Sequence, residues 1–341
     1  MKILLKTLQH ISSRLHVAHS VIVCRRNISS SGSWTLHALK SRGLIQLSGT
    51  DVNPFLQGLV TNDVTVLGPK CTSLHAMLLN VQGRVMYDLL LYHKVLEDNP
   101  SVIVEHDRRI TTDLIKTLKR YRIRKKVNIL DISDDLQVFA ALPPGDESCE
   151  TDLSLEHKSL YLSCEDPRIN TFGRRIVAPS EDNMMKCVHQ GSELIPSTED
   201  EYHERRYMLG LSEGIIDIPP GNCFPLESNL VYLNGVCFHK GCYIGQELTA
   251  RTFHTGVTRK RLMPLKFESV PTGLSAGDNI VNEKGKSIGK FRNCAGKHGL
   301  GLLRVAEIKG TISVTNTDGQ IYNVQAMPPE WWPKDEDKGY L

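Results

Sequence analysis

The segment Lys240-Gly241-Cys242-Tyr243-Ile244-Gly245-Gln246-Glu247, with Arg251 just beyond it, is the densest group of chemically capable side chains in this 341-residue chain. A thiol stands between two glycines, where the backbone can approach a ligand closely or turn through a positive φ angle. Lys240, His239 and Arg251 are cations that would favour the thiolate, the form that ligates iron or attacks electrophiles. A helix starting at Ile244 or Gly245 would add the positive end of its dipole. The bland alternative is a small buried cysteine in a strand-to-helix turn. The reading adopted is that Cys242 is presented, ionised, on a glycine-bounded bend facing a cavity.

Cys237 and Cys242 lie five apart, with His239 between them and His254 beyond. That spacing matches no common zinc pattern, so a four-ligand site within the chain is not expected. A lone thiolate better suits a [2Fe–2S] cluster shared with another protein's cysteines, because such a centre takes four ligands in total.

The elements around this segment read as a mixed chain. Gly43 to Gly49 is a short strand and turn. Asp51 to Val64 carries helical spacing behind a polar cap. Residues 72 to 80 and 85 to 93 alternate as paired strands about Gln82-Gly83. Val102 to Val104 is a strand, His106 to Lys119 a helix, and Val127 opens another strand. Residues 136 to 142 and 159 to 163 are strand-like, and the polar stretch 143 to 158 between them is a loop. Glu193 to Leu209 holds a charged helix. From Leu262 onward, short strands alternate with glycine turns such as Ala276-Gly-Asp and Thr317-Asp-Gly, the pattern of a small β-barrel. Trp331-Trp332-Pro333 reads as an aromatic anchor before a frayed end at Lys334 to Asp337.

Charge is segregated. Every charged residue before Asp51 is basic, and Leu4, Leu8, Ile11 and Leu15 recur at helical spacing with Lys2 and Lys6 opposite. An acid-free amphipathic leader of this kind is the signature of a mitochondrial transit peptide, here residues 1–32 with a processing zone at Ser29-Ser30-Ser31-Gly32-Ser33. Losing Lys2, Lys6, Arg14, Arg25 and Arg26 turns the formal charge from +3 to −2, so bulk charge gives no case for nucleic acid. No stretch approaches ~18 uncharged apolar residues, so nothing spans a bilayer, and no membrane partner is expected. Nine scattered cysteines in a reducing compartment are mostly inert buried thiols. The basic run Lys116, Lys119, Arg120, Arg122, Arg124, Lys125 and Lys126 could mark RNA or an anionic ligand, but only Tyr121 is interleaved for stacking. A solvated helix end is the plainer reading.

The cysteine octapeptide resembles the Lys-Gly-Cys-Tyr/Phe-x-Gly-Gln-Glu signature of the YgfZ/GcvT-like family, relatives of the glycine-cleavage aminomethyltransferase. Asp51 to Val64 is similar to that family's Asp-x-x-x-Phe-Leu-Gln-Gly-x-x-Thr-Asn-Asp-Val opening. Leu118 to Val127 looks like its Tyr-x-x-Arg-x-Lys-Val run, Arg206 to Gly214 like its arginine-rich helix, and Phe224 to Leu230 like the segment before the signature. The region from Gly289 to Arg304 also fits, so the likeness covers roughly residues 40 to 310. It implies an α+β fold, a three-domain GcvT-like ring with a folate-sized hole and a C-terminal β-barrel. The division would be 33–260 for two interleaved α/β subdomains and 261–341 for the barrel. With the leader, it implies a mitochondrial matrix factor that assists [4Fe–4S] assembly on clients such as aconitase, lipoate synthase and radical enzymes, alongside A-type scaffold proteins.

One departure bears on activity. The aminomethyltransferases carry paired acids where this chain has Tyr87-Asp88, and a phenol with pKa near ~10 is no carboxylate at neutral pH. A tetrahydrofolate-dependent one-carbon transferase is therefore an alternative only, as is an RNA-binding module through 116–126. Within the assembly reading, Cys242 is cluster ligand or redox thiol, with a [2Fe–2S] cluster shared with a partner. Lys240, Gly241, Tyr243, Gly245, Gln246 and Glu247 shape its turn, and Arg251 tunes it. Asp51, Asn62, Arg84 and Glu213 would wall a pocket for tetrahydrofolate.

Overall fold

The computed structural model describes residues 33–96, 99–145, 153, 161–179 and 194–333. The transit peptide, most of the 143–158 loop, the start of the strand expected from 159 and the end from Lys334 lie outside these residues.

Alternation with period two builds two sheets that share a core. Strands β1 (Trp34–Leu39) and β2 (Arg42–Ser48) open the chain and enter different sheets. Helix α1 (Val52–Gln57) follows, then β3 (Ser73–Leu79), β4 (Val85–Leu96) and β5 (Asn99–Asp107). Helix α2 (Thr111–Tyr121) leads to β6 (Asn128–Asp131), which completes a sheet of order β3-β4-β5-β2-β6. The second sheet takes β7 (Gln137–Leu142), β8 (Leu162–Glu165), β9 (Arg174–Ala178) and β10 (Leu194–Ser197), in the order β10-β1-β7-β9-β8.

In the first sheet Ile45, Leu47, Leu89, Leu91, Val102 and Val104 face one core with α1 and α2. Their neighbours Leu44, Leu90, Tyr92 and Ile103 face the other way, onto Val138, Ala140 and Val177 of the second sheet. Strands buried on both faces read as near-continuous apolar runs, as these do.

Helix α3 (Glu199–Met208) starts on a capping box in which Thr198 and Glu201 exchange hydrogen bonds, and α4 (Gly214–Asp217) is a single turn. After α5 (Gln246–Thr255) the chain forms a closed barrel from β11 (Lys260–Phe267), β12 (Asn279–Asn282), β13 (Ser287–Ala295), β14 (His298–Arg304), β15 (Ile312–Thr315) and β16 (Ile321–Ala326). Met263, Leu265, Phe291 and Val324 fill it.

Two expected helices are shorter than their spacing implied. The first ends at Gly58, and the chain re-forms only a 3₁₀ turn at Val64–Val66, because Asn62 and Asp63 turn their side chains onto backbone groups. His106 and Asp107 belong to β5: ladder bonds to Arg42 and Gly43 outweigh their helical spacing.

Candidate functional site: the Cys242 loop

The chain from Val236 to Gly245 has no regular secondary structure, yet it is fastened at almost every other residue. The backbone N–H of Cys237 donates to Thr61 O (3.1 Å), and that of Ile244 donates to Gly58 O (3.2 Å). Lys240 is buried, and its ammonium donates to the carbonyls of Val60 and Asn62, both at 2.7 Å. Tyr243 is buried among Met77, Leu79, Val85, Ile218, Leu230 and Leu262, with the Lys240 nitrogen 5.2 Å from its ring centre. Between these anchors Gly241 and Cys242 are exposed. Burying Lys240 and Tyr243 on either side leaves the thiol only the outward direction.

Gly245 ends the loop with φ +78°, where a Cβ would overlap the carbonyl oxygen of Asn80. It touches the β3–β4 hairpin at Gly83, which is itself at φ +74°. Helix α5 therefore begins at Gln246, one or two residues later than expected, and Gln246 Oε1 accepts from the Tyr243 N–H at 3.3 Å. Gly241 is different: its φ is not positive and a Cβ there would meet nothing within 4 Å. Its role in shaping the turn, expected from its type, is not required by its geometry.

The cations do not gather on the sulfur. Lys240 spends its charge on two carbonyls, and burial lowers its pKa to about 8 against the pull of Asp63 and Cys237. Arg251 faces Glu247 one helical turn away at 3.8 Å, both well exposed. Among the described residues no hydrogen bond or ion pair reaches Cys242. Nor does it line the cavities of about 1000 Å³ and 560 Å³, so the thiol faces solvent where a cavity was expected. Burial pushes the Cys164 thiol up to about 12 and raises those of Cys223 and Cys294. Among the described residues no three His, Cys, Asp or Glu side chains gather as a metal site.

The four residues assigned to a pocket wall are dispersed. Asp51 accepts from the Lys126 N–H (2.7 Å) at the start of α1. Asn62 donates its amide to the carbonyls of His75 and Asn234. Arg84 lies over the Phe224 ring at 4.4 Å and donates to Asn222 O. Glu213 is deep in the protein and lines a cavity of about 120 Å³. Only Asn62 meets the cysteine loop, through its backbone. That small cavity is no place for a pterin.

Glu213 belongs to a buried ionic lattice that sequence reasoning missed. Arg175 bridges Glu213, Asp166 (3.2 Å) and Glu105 (3.5 Å). Arg168 holds Asp166 (2.8 Å) and Glu213 (2.9 Å), and Arg42 holds Glu105 (2.7 Å). Tyr92 donates to Glu105 and Tyr202 to Glu213, while Arg206 pairs with Asp217. Burial opposes the charge on Glu213, but Arg175, Arg42, Arg168 and Arg206 hold its carboxyl well below the usual range. The lattice ties one sheet to the other. Its one sequence signal was Arg174-Arg175 entering the apolar run Ile176-Val177-Ala178.

Asp88 lies nearby and accepts from the Gly214 N–H at 3.1 Å; burial raises its pKa against the influence of Arg42. Tyr87, where an acid would begin the aminomethyltransferase pair, is packed into the first core.

A profile described as the CAF17 C-terminal beta-barrel domain matches residues 259–334. The crystal structure of glycine cleavage system aminomethyltransferase T from Bartonella henselae superposes with TM-score 0.67 at 15% identity, covering 88% of this chain and 86% of that one. That likeness establishes the fold. Over 324 residues the chain is 40% identical to the mitochondrial iron–sulfur cluster assembly factor IBA57 of Mus musculus, covering 90% of this chain and 88% of the relative. The Homo sapiens protein of the same name is 37% identical over 338 residues, covering 94% and 91%. The chain belongs to the IBA57 family. It is thus a GcvT-like member of the mitochondrial iron–sulfur assembly factors.

Proposed function

We propose that the chain assists [4Fe–4S] assembly on matrix client enzymes, such as aconitase, lipoate synthase and radical enzymes, by lending Cys242 as an exchangeable ligand. The cluster is cargo, a [2Fe–2S] unit shared with an A-type scaffold protein that contributes the remaining thiolates. On binding iron the Cys242 thiol gives its proton to solvent and its sulfur takes one coordination position; on release it is reprotonated. The observation that carries this reading is an exposed thiol on a loop pinned by Lys240, Tyr243 and Gly245. A fixed mount lowers the ordering cost of forming a shared site. Glu247 and Arg251, exposed on α5, are placed for contacts at the rim.

For tetrahydrofolate we propose the 560 Å³ cavity as the space to hold it. Tyr232 and Trp331 line it with rings, and exposed Asn234 adds an amide. No step of the proposed transfer runs through a folate.

The test is Cys242→Ser. The variant keeps the parent's unfolding midpoint but fails to restore lipoylation and aconitase activity in cells lacking the parent protein. Mixed anaerobically with an A-type scaffold and iron and sulfide, the parent yields a visible charge-transfer spectrum that the variant does not. Full rescue by the serine variant would remove the thiol from the mechanism.

A further inference from the structure

The basic run at the end of α2 folds into an exposed tip. Leu114 and Leu118 point into the core, leaving Lys116, Lys119 and Arg120 exposed on the other face. The helix stops at Tyr121, the Lys125 N–H closes a turn onto Arg122 O (2.7 Å), and buried Val127 carries the chain back toward the edge strand β6. Arg124, Lys125 and Lys126 are exposed on that turn. Among the described residues none of the seven cations from Lys116 to Lys126 makes an ion pair. The acids within reach along the chain are few or engaged: Asp51 accepts from the Lys126 N–H, Asp131 from Ser133, and Asp113 is exposed at the far end of the helix. At the apex Ile123 is 75% exposed and Tyr121 37%. Arg124 sits at φ +58°, a conformation glycine would adopt without strain, so the turn retains a long cation at a conformational cost.

From this arrangement we infer that the 116–126 tip is a contact site for an anionic phospholipid bilayer. An exposed aliphatic chain among six exposed cations without ion pairs matches a bilayer, whose headgroups take scattered positive charge and whose acyl boundary takes one or two apolar side chains. RNA is the poorer match, because single strands need several stacking faces and only Tyr121 is available. A protein partner is poorer too, since a stable interface needs a broad apolar centre and this tip has one aliphatic side chain. No helix of the described residues is long and apolar enough to span a membrane, and none is needed for surface attachment.

The test uses the full chain with vesicles of phosphatidylcholine alone, or of phosphatidylcholine with cardiolipin. Parent protein co-sediments with the anionic vesicles and not the neutral ones, and raised salt weakens the binding. The triple variant K119E/R120E/K125E loses at least about tenfold in affinity, and I123E also binds more weakly, both at the parent's unfolding midpoint. The basic residues before Asp51 are common to all variants, so a second measurement reads the tip by difference: the indole that Ile123→Trp adds to Trp34, Trp331 and Trp332 is quenched by lipids brominated on the acyl chain, beyond any quenching of the parent. An unquenched indole on bound protein, equal binding to neutral vesicles, or a triple variant that binds as the parent does would each overturn the proposal. So would salt-sensitive binding to RNA without binding to vesicles.

Discussion

The ammonium of Lys240 donates to the carbonyl of Asn62, 178 residues earlier in the chain, at 2.7 Å. This contact fixes the cysteine loop to the turn between α1 and β3. Replacing Lys240 with methionine leaves the Val60 and Asn62 carbonyls without their donor. Unsatisfied buried acceptors cost about 1–3 kcal/mol. Urea unfolding of Lys240→Met should show that loss, and limited proteolysis should cut the 236–245 segment sooner.

The two glycines beside the thiol should respond oppositely. Gly245→Ala forces a side chain into a positive-φ site against Asn80, and is expected to cost about 1–3 kcal/mol or more. Gly241→Ala enters open space at an ordinary φ and should leave the unfolding midpoint within experimental error. Paired thermal scans decide it; equal effects would mean the loop is not built as described.

Much of this was legible beforehand, for physical reasons. Alternation in β2 to β5 and the turn chemistry around Gly83 are local signals, and they marked the right strands. The glycine-spaced barrel strands were likewise local. The destination of Lys240 was not legible: a lysine beside a cysteine reads as its electrostatic partner until the fold brings two carbonyls nearer. The partners of Glu213 were hidden for the same reason, since Arg175 and Arg168 reach it only through the packed fold. Charges buried in pairs announce themselves through partners that are remote in sequence.

The lattice makes its own prediction. Arg175→Met removes one cation from among Glu105, Asp166 and Glu213, leaving buried carboxylates uncompensated. Breaking such a pair typically costs about 3–5 kcal/mol. Chemical denaturation should show that magnitude, whereas Arg251→Ala, at an exposed pair, should change stability by less than about 1 kcal/mol.

Acid sensitivity follows from the buried histidines. Burial lowers His75 and His106 to about 4, and it lowers His37 and His203 in the same direction. Their folded pKa lies below the unfolded one near 6.5, so the unfolded chain binds more protons in the window between. Stability is complete above pH 6.5 and declines as the pH falls toward 4, by up to about 1.4 kcal/mol per pH unit for each histidine fully inside the window. Denaturation midpoints at pH 7, 6 and 5 should decline in that order, and His75→Gln should flatten the trend.

Closure of the barrel from β11 to β16 has a consequence for the company this protein keeps. An open sheet would invite unpaired strands of other chains to add to its margin. A ring of strands hydrogen-bonded all the way round has no margin to offer. The C-terminal portion therefore offers no free strand edge to an unpaired strand of a neighbouring chain.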